Sequence, residues 1–256
     1  KDIIQKKGNH FLFNTDEAAI TKRINGNKNA IDIMPKAKKR AEFISKFPFI
    51  EGVAISGSLS KGYFDNQSDF DFFVITKPKK VWIARFIIAL YKRVFLGNSK
   101  KEFCVNYYIS TNTLEIEEKN KFTATEIMTI IPLFGKQLFK EFYRKNNWTS
   151  KYYPHFTPEN KFFKINEVKK NNAIKFIEFL LNNIFGRSIN YLLMKVISAR
   201  WEKRYKQKKR NNQYKSKDEI AKHHPKNFQE KVIEQLNIKY QYCKEKYNIE
   251  IQKEYA

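Results

Sequence analysis

Residues 52–76 read GVAISGSLSKGYFDNQSDFDFFVIT, and the order of their parts decides the fold. An apolar run ends at Gly57-Ser58. A polar turn holding Gly62 follows, and Ser68, Asp69 and Asp71 then lead into a second apolar run. Strand side chains alternate, so two carboxylates one residue apart on a strand share a face. Aspartate is disfavoured in strands, and a pair at the head of a run of Phe, Val and Ile therefore needs a purpose. Hard carboxylate oxygens suit Mg²⁺. Gly57, lacking a Cβ, lets the backbone approach a ligand closely. A helix starting at Ser58 would turn free amides and a hydroxyl towards an anion. These residues together predict nucleotide chemistry. Asp69 and Asp71 are the expected ligands for Mg²⁺ (or Mn²⁺), and Gly57 and Ser58 the expected cradle for a triphosphate.

Outward from this stretch, helices surround strands. Residues 15–46 read as helices interrupted at Asn25-Gly26-Asn27, and Pro48 closes them. Strands are expected at Phe49–Ile55, Phe70–Thr76 and Phe103–Ser110. In the last, Cys104, Asn106 and Tyr108 would face one way and Val105, Tyr107 and Ile109 the other. The apolar helix KVWIARFIIALYKRVFL at 80–96 contains Arg85, Lys92 and Arg93 and is shorter than a membrane span, so it is expected to pack on the sheet. Further helices are expected at 122–131, ending at Pro132, then at 136–147, at 171 to about 210, and near the end of the sequence. The pattern is α+β: a small mixed sheet with helices on either side in sequence. It divides into an N-terminal helical segment (1–47), a core (48–112) and a helical C-terminal region (113–256).

With 256 residues, 42% of them hydrophobic, the chain can build a substantial core. Its formal net charge is +24. Such an excess suits a polyanionic partner or an anionic surface. It equally suits a lysine-rich composition with no binding role, since lysines far outnumber the arginines that bidentate phosphate recognition favours. The run from Arg200 to Lys217 holds nine basic residues and one acid, Glu202. This run is a solvated face or a contact for RNA, DNA or anionic lipid. Cys104 and Cys243 lie too far apart in sequence to suggest a metal motif, and the histidines have no ligand spacing. A reducing, cytoplasmic setting is the simplest expectation. Nothing in the first residues reads as a secretory signal.

The segment GSLSKGYFDNQSDFDFFVIT resembles the nucleotidyltransferase signature of the DNA polymerase β superfamily: Gly-Ser, a second Gly four residues after the Ser, then Ser-Asp-x-Asp on an apolar strand. Further features are similar to small bacterial nucleotidyltransferase-domain proteins. These are Trp82 and Arg85, the strand with Cys104, Asn106 and Tyr107, and the helix with Thr123, Ala124, Glu126 and Ile127. Pro132, Leu133, Gly135, Asn146, Trp148, His224 and Pro225 continue the likeness. The resemblance implies transfer of a nucleoside monophosphate from an NTP, with ATP the expected donor, to an acceptor it does not identify. It also places Ser68 among the nucleotide-binding residues.

Active members of that superfamily carry a third carboxylate on the next strand, where this chain has Asn106. An amide cannot take a proton at neutral pH. Glu126 and Glu102 are the acids left to fill the place. Lys61 is a phosphate contact or a solvated cation, Asn106 a site residue or a buried amide, and Glu126 a catalytic acid or a surface residue. Loss of the third acid leaves a second reading open, a non-catalytic fold that binds nucleotide or nucleic acid.

Overall fold

The computed structural model describes residues 5–8, 10–12, 17–97, 101–159, 165–205, 214–223 and 227–255. A short antiparallel hairpin, β1 (Gln5–Lys7) and β2 (His10–Leu12), precedes helix α1 (Glu17–Ser45). The central sheet follows: β3 (Ile50–Ser56), β4 (Asp71–Thr76), β5 (Cys104–Ser110), β6 (Ile131–Phe134), β7 (Tyr214–Lys217) and β8 (Ile220–His223). Between β3 and β4 lies the single turn α2 (Gly57–Ser60), and between β4 and β5 lies α3 (Val81–Phe95). The remaining helices are α4 (Lys121–Thr129), α5 (Lys136–Lys145), α6 (Asn172–Leu180), α7 (Ile184–Tyr205) and α8 (Phe228–Tyr247). The expected α+β architecture is therefore present: a mixed sheet flanked by helical regions.

The sheet runs β6-β3-β4-β5-β8-β7 and is antiparallel except where β4 meets β5. Two apolar layers cover its faces. One joins Phe72, Val74 and Tyr108 to α1, α3 and α7 through Ala37, Trp82 and Trp201. The other joins Phe73, Ile75 and Ile109 to α4 and α5 through Ile127 and Phe139. The period-two alternation of β4 sorts its residues between these layers, which fixes its register.

Several details differ from the sequence expectations. Helix α1 does not break at Asn25-Gly26-Asn27. It runs on because Gly26 serves a contact and not a turn: a Cβ there would lie 2.2 Å from the Tyr63 ring. The Gly26 carbonyl also accepts from the Phe64 amide at 3.0 Å. Pro132 does not simply end a helix but sits in β6, an edge strand, where a missing N–H is tolerated. The hairpin β7–β8 places two strands within the 113–256 region expected to be helical, and β7 is the end of the basic run. Lys215 and Lys217 there are not simply solvated, since both pair with Glu117 at 2.7 Å. The described part of the long helix expected from 171 is two helices, α6 and α7, with residues 181–183 between them. Residues 206–210, His224 and Pro225 lie outside the described residues. In β5 the pairing register shifts beside Asn106. Val105 and Tyr108 consequently pack in one apolar layer, and Tyr107 and Ile109 in the other, so simple alternation fails there.

Helix α3 packs as expected, with Val81, Trp82, Ile83, Ala84 and Ile88 buried. Its first amides are satisfied by the wholly buried Asn190 of α7, whose Oδ1 accepts from Trp82 N at 2.9 Å. The Arg85 guanidinium lies 4.6 Å from the Trp201 ring centroid and 5.5 Å from that of Tyr108. Burial lowers its pKa, and the ring faces offer it a favourable electrostatic surface. Among the described residues, no helix is long and apolar enough to cross a membrane.

Candidate active site

The site is built where β3 ends and β4 begins. Ser56 is paired with Asp71, which brings the Gly57 turn and the aspartates together. Gly57 adopts φ +67, a region that L residues rarely occupy. A Cβ at Gly57 would lie 2.3 Å from Asp71 Oδ2. The glycine therefore makes room for the carboxylate as well as for any ligand. After the turn, Gly62 at φ +68 redirects the chain, and Arg23 of α1 donates to the Lys61 carbonyl at 3.0 Å. Asn29 Nδ2 donates to the Phe64 carbonyl at 3.3 Å, so the long first helix braces the loop that follows the site.

Asp71 is the first residue of β4, and Asp69 lies just before the strand, outside regular secondary structure, so the two aspartates do not share a strand as the sequence suggested. Burial first, and then the charge of Asp69, raise the Asp71 pKa to about 6. A contact from Cys104 and the charge of Lys61 act the other way, while Glu126 adds to the rise. Among the described residues no ion pair reaches either aspartate. Asn106 Nδ2 donates to Asp71 Oδ1 at 2.7 Å, and its own Oδ1 accepts from the Cys104 thiol at 3.2 Å. Burial, followed by the Asp71 charge, pushes the Cys104 thiol up to about 12, so it stays protonated.

Lys61 Nζ lies 2.8 Å from Glu126 Oε1 and donates to the Gly57 carbonyl at 3.0 Å. It thus ties the turn to α4. Of the two acids considered for the third position, Glu126 is the one that acts on Asp71. Glu102 is held by Lys36 and by Arg40, the latter at 2.8 Å, and these cations lower its pKa. Ser68 is engaged locally, its Oγ donating to Asp65 Oδ1 at 2.8 Å and accepting from the Asp65 amide at 3.1 Å. Ser58 is half-buried, and its carbonyl accepts from the amides of Lys61 and Tyr63.

Lys222 of β8 escaped the sequence reading. It is buried, lies 5.5 Å from the Tyr107 ring centroid, and bonds Gln229 at 2.8 Å. Burial lowers its pKa, while the nearby charges of Glu118 and Glu126 oppose the change. No sequence signal placed it there, because β8 reaches this neighbourhood only through pairing with β5 across more than a hundred residues.

Two crowded carboxylates, partly withdrawn from water and without ion-pair partners, form a donor set that suits a divalent cation. The described residues hold no group of three or more His, Cys, Asp or Glu side chains placed to bind a metal. A two-carboxylate set fits Mg²⁺, which retains waters and takes other ligands from substrate phosphates.

Residues 35–246 match the family described as nucleotidyltransferase domain. The chain belongs to that family. Its turn-and-aspartate geometry agrees with the wider polymerase β-like superfamily. Neither the curated proteins nor the solved structures yielded a match.

Proposed function

We propose that this nucleotidyltransferase-domain protein is a metal-dependent enzyme that moves a nucleoside monophosphate from an NTP, with ATP the first donor to test, to an acceptor hydroxyl. Pyrophosphate is the other product. The observation that carries this reading is Asp71 packed against the Gly57 turn beside the charge of Asp69, with no ion pair to either aspartate among the described residues. The residues involved lie mainly in the 48–112 core.

In this reading Asp69 and Asp71 hold Mg²⁺ or Mn²⁺. A cation held by these two residues would supply charge neutralisation at the substrate phosphates. Gly57 leaves space for the triphosphate, and the Ser58 hydroxyl donates to it. Lys61 exchanges its contact with Glu126 for a phosphate oxygen, serving as a point charge. Glu126, released from Lys61, is the acid available to accept the acceptor's proton. Asn106 holds Asp71 in orientation through Oδ1, and Ser68 shapes the loop that delivers Asp69. The acceptor is a small molecule, a protein hydroxyl or an RNA end. A reducing, cytoplasmic setting suits the protonated, unpaired Cys104.

The test is incubation with each labelled NTP and Mg²⁺, comparing wild type with Asp69→Ala/Asp71→Ala. Turnover lost in the double variant supports the enzyme. Absence of NTP binding in both proteins, together with metal binding unaffected by the substitutions, would sink it.

Asn106 in place of an acid favours one other reading, a binding module without turnover that docks nucleic acid through its basic C-terminal half. Such a module would retard nucleic acid on a gel with steep salt dependence. It would continue to do so after Asp69→Ala.

A further inference from the structure

Helix α6 has an unusual surface for an exposed helix. Its sequence is NAIKFIEFL, and its sole acid, Glu178, points inward to the Phe49 amide at 2.6 Å. What remains outside is mainly apolar. Phe176 is 60% exposed, Phe179 75% and Leu180 51%. The start of α7 continues the patch, with Ile184 76% and Phe185 77% exposed, and Leu192 extends it along the helix at 62%. A helix so apolar is normally buried, and contiguous exposed patches of this kind mark contact sites.

The patch is held firmly. Lys80 Nζ donates to the Leu181 carbonyl at 2.6 Å, between the two helices. A Cβ on Gly186 would lie 1.8 Å from that same carbonyl oxygen, so the elbow closes tightly. Its charges have one sign. Lys175, Arg187, Lys195 and Arg200 are exposed on α6 and α7, where Glu202 is the lone exposed acid.

We propose that this elbow docks on an anionic lipid surface, with Phe179, Ile184 and Phe185 entering the acyl boundary and the flanking cations meeting the headgroups. Apolar residues beside Lys and Arg are the composition of interfacial helices. Each cation near an anionic leaflet adds to binding. A second copy is a poorer occupant, because it would set cations against cations in a chain of net charge +24. Spanning is not required: no described helix is both long and apolar enough to cross.

The test is sedimentation of the full chain with vesicles of phosphatidylcholine, and with an equal mixture of phosphatidylcholine and phosphatidylglycerol. Wild type should pellet with the mixed vesicles alone, and less at high salt. Phe179→Ser/Phe185→Ser should bind at least about tenfold more weakly while melting at the wild-type temperature. Lys175→Glu/Arg187→Glu should also lose binding. Three results would overturn the assignment. Wild type could remain in the supernatant with both vesicles. The serine variant could pellet like wild type. Light scattering could show a dimer that the serine substitutions split, without vesicle binding by wild type.

Discussion

Glu178 and Asp71 are both drawn out of water, and their surroundings are opposite. Glu178 receives Lys170 at 2.5 Å, Lys77 at 2.7 Å and the Phe49 amide at 2.6 Å. Burial alone would raise its pKa, but those bonds outweigh burial and lower it. Asp71 has a neutral amide donor, a neighbouring aspartate and, among the described residues, no ion pair, and its pKa rises to about 6. In a chain carrying 50 basic residues, cations were available for both. Glu102, Glu117 and Glu178 all take lysines, but the Asp69–Asp71 pair does not. The contrast separates an acid that stabilises the fold from a pair left ready for an external cation.

The largest expected effect breaks the pair. Asp71→Ala should reduce nucleotidyl transfer by about a thousandfold or more, because a catalytic cation contributes several kcal/mol of charge stabilisation. Single-turnover assays with labelled NTP would measure it. Thermal stability should not fall in parallel. A loss of activity matched by a loss of folded protein would remove the distinction between the two acids.

Glu178→Gln tests the other side. It leaves Lys170 largely buried beside an uncharged amide, with Glu51 at 3.3 Å as its remaining carboxylate, so the loss should fall below the roughly 3–5 kcal/mol of a fully orphaned buried charge. Urea unfolding should show that loss, with transfer per folded molecule unchanged. Here Glu178 joins the loop at Phe49 to α6, so its removal should also loosen the α6–α7 elbow.

The pH responses should diverge in metal-free buffer. The Glu178 pKa is lower folded than unfolded, so its stabilisation is present above the unfolded carboxylate range and is lost as pH falls through the folded value. The Asp71 pKa is raised, so its ionisation costs stability as pH climbs from about 4 to about 6. Asp71→Asn should therefore be more stable than wild type by about 2–3 kcal/mol at pH 8 and equal to it at pH 3. Added Mg²⁺ should stabilise wild type at pH 8 and leave the variant unchanged. Melting curves across pH, with and without the ion, would show both. Equal stability of wild type and variant at pH 8 would show that Asp71 is not strained by its charge.

The same contrast explains what the sequence made legible. The Gly57 turn and the Asp69–Asp71 spacing depend on local geometry, a glycine at positive φ and a period of two, and both can be read from neighbouring residues. The partners of the other acids cannot. Lys215 and Lys217 looked like a solvated basic run because Glu117 lies about a hundred positions away. Glu102 looked available to the site because Lys36 and Arg40 belong to a helix far earlier in sequence. Gly26 looked like a helix breaker, since its contact with Tyr63 is tertiary. The edge strand at Pro132 and the shifted register at Asn106 were hidden for the same reason: pairing across the sheet, and not propensity, determines them.

The smallest effect should come from the surface pair that links the two kinds of acid. Lys61 and Glu126 are each about one-third exposed, and such a pair contributes under about 1 kcal/mol to stability. Glu126→Gln should therefore leave unfolding almost unchanged. Its effect on turnover should be larger, about a hundredfold fall in kcat with little change in KM, the low end of general-base contributions. The split matters because Lys61, and not Glu126, contacts the phosphates in the proposed mechanism. Losing Glu126 frees that lysine, so nucleotide binding should hold or improve as the chemical step slows. An unchanged kcat would remove Glu126 from the reaction and leave proton acceptance to the acceptor substrate itself.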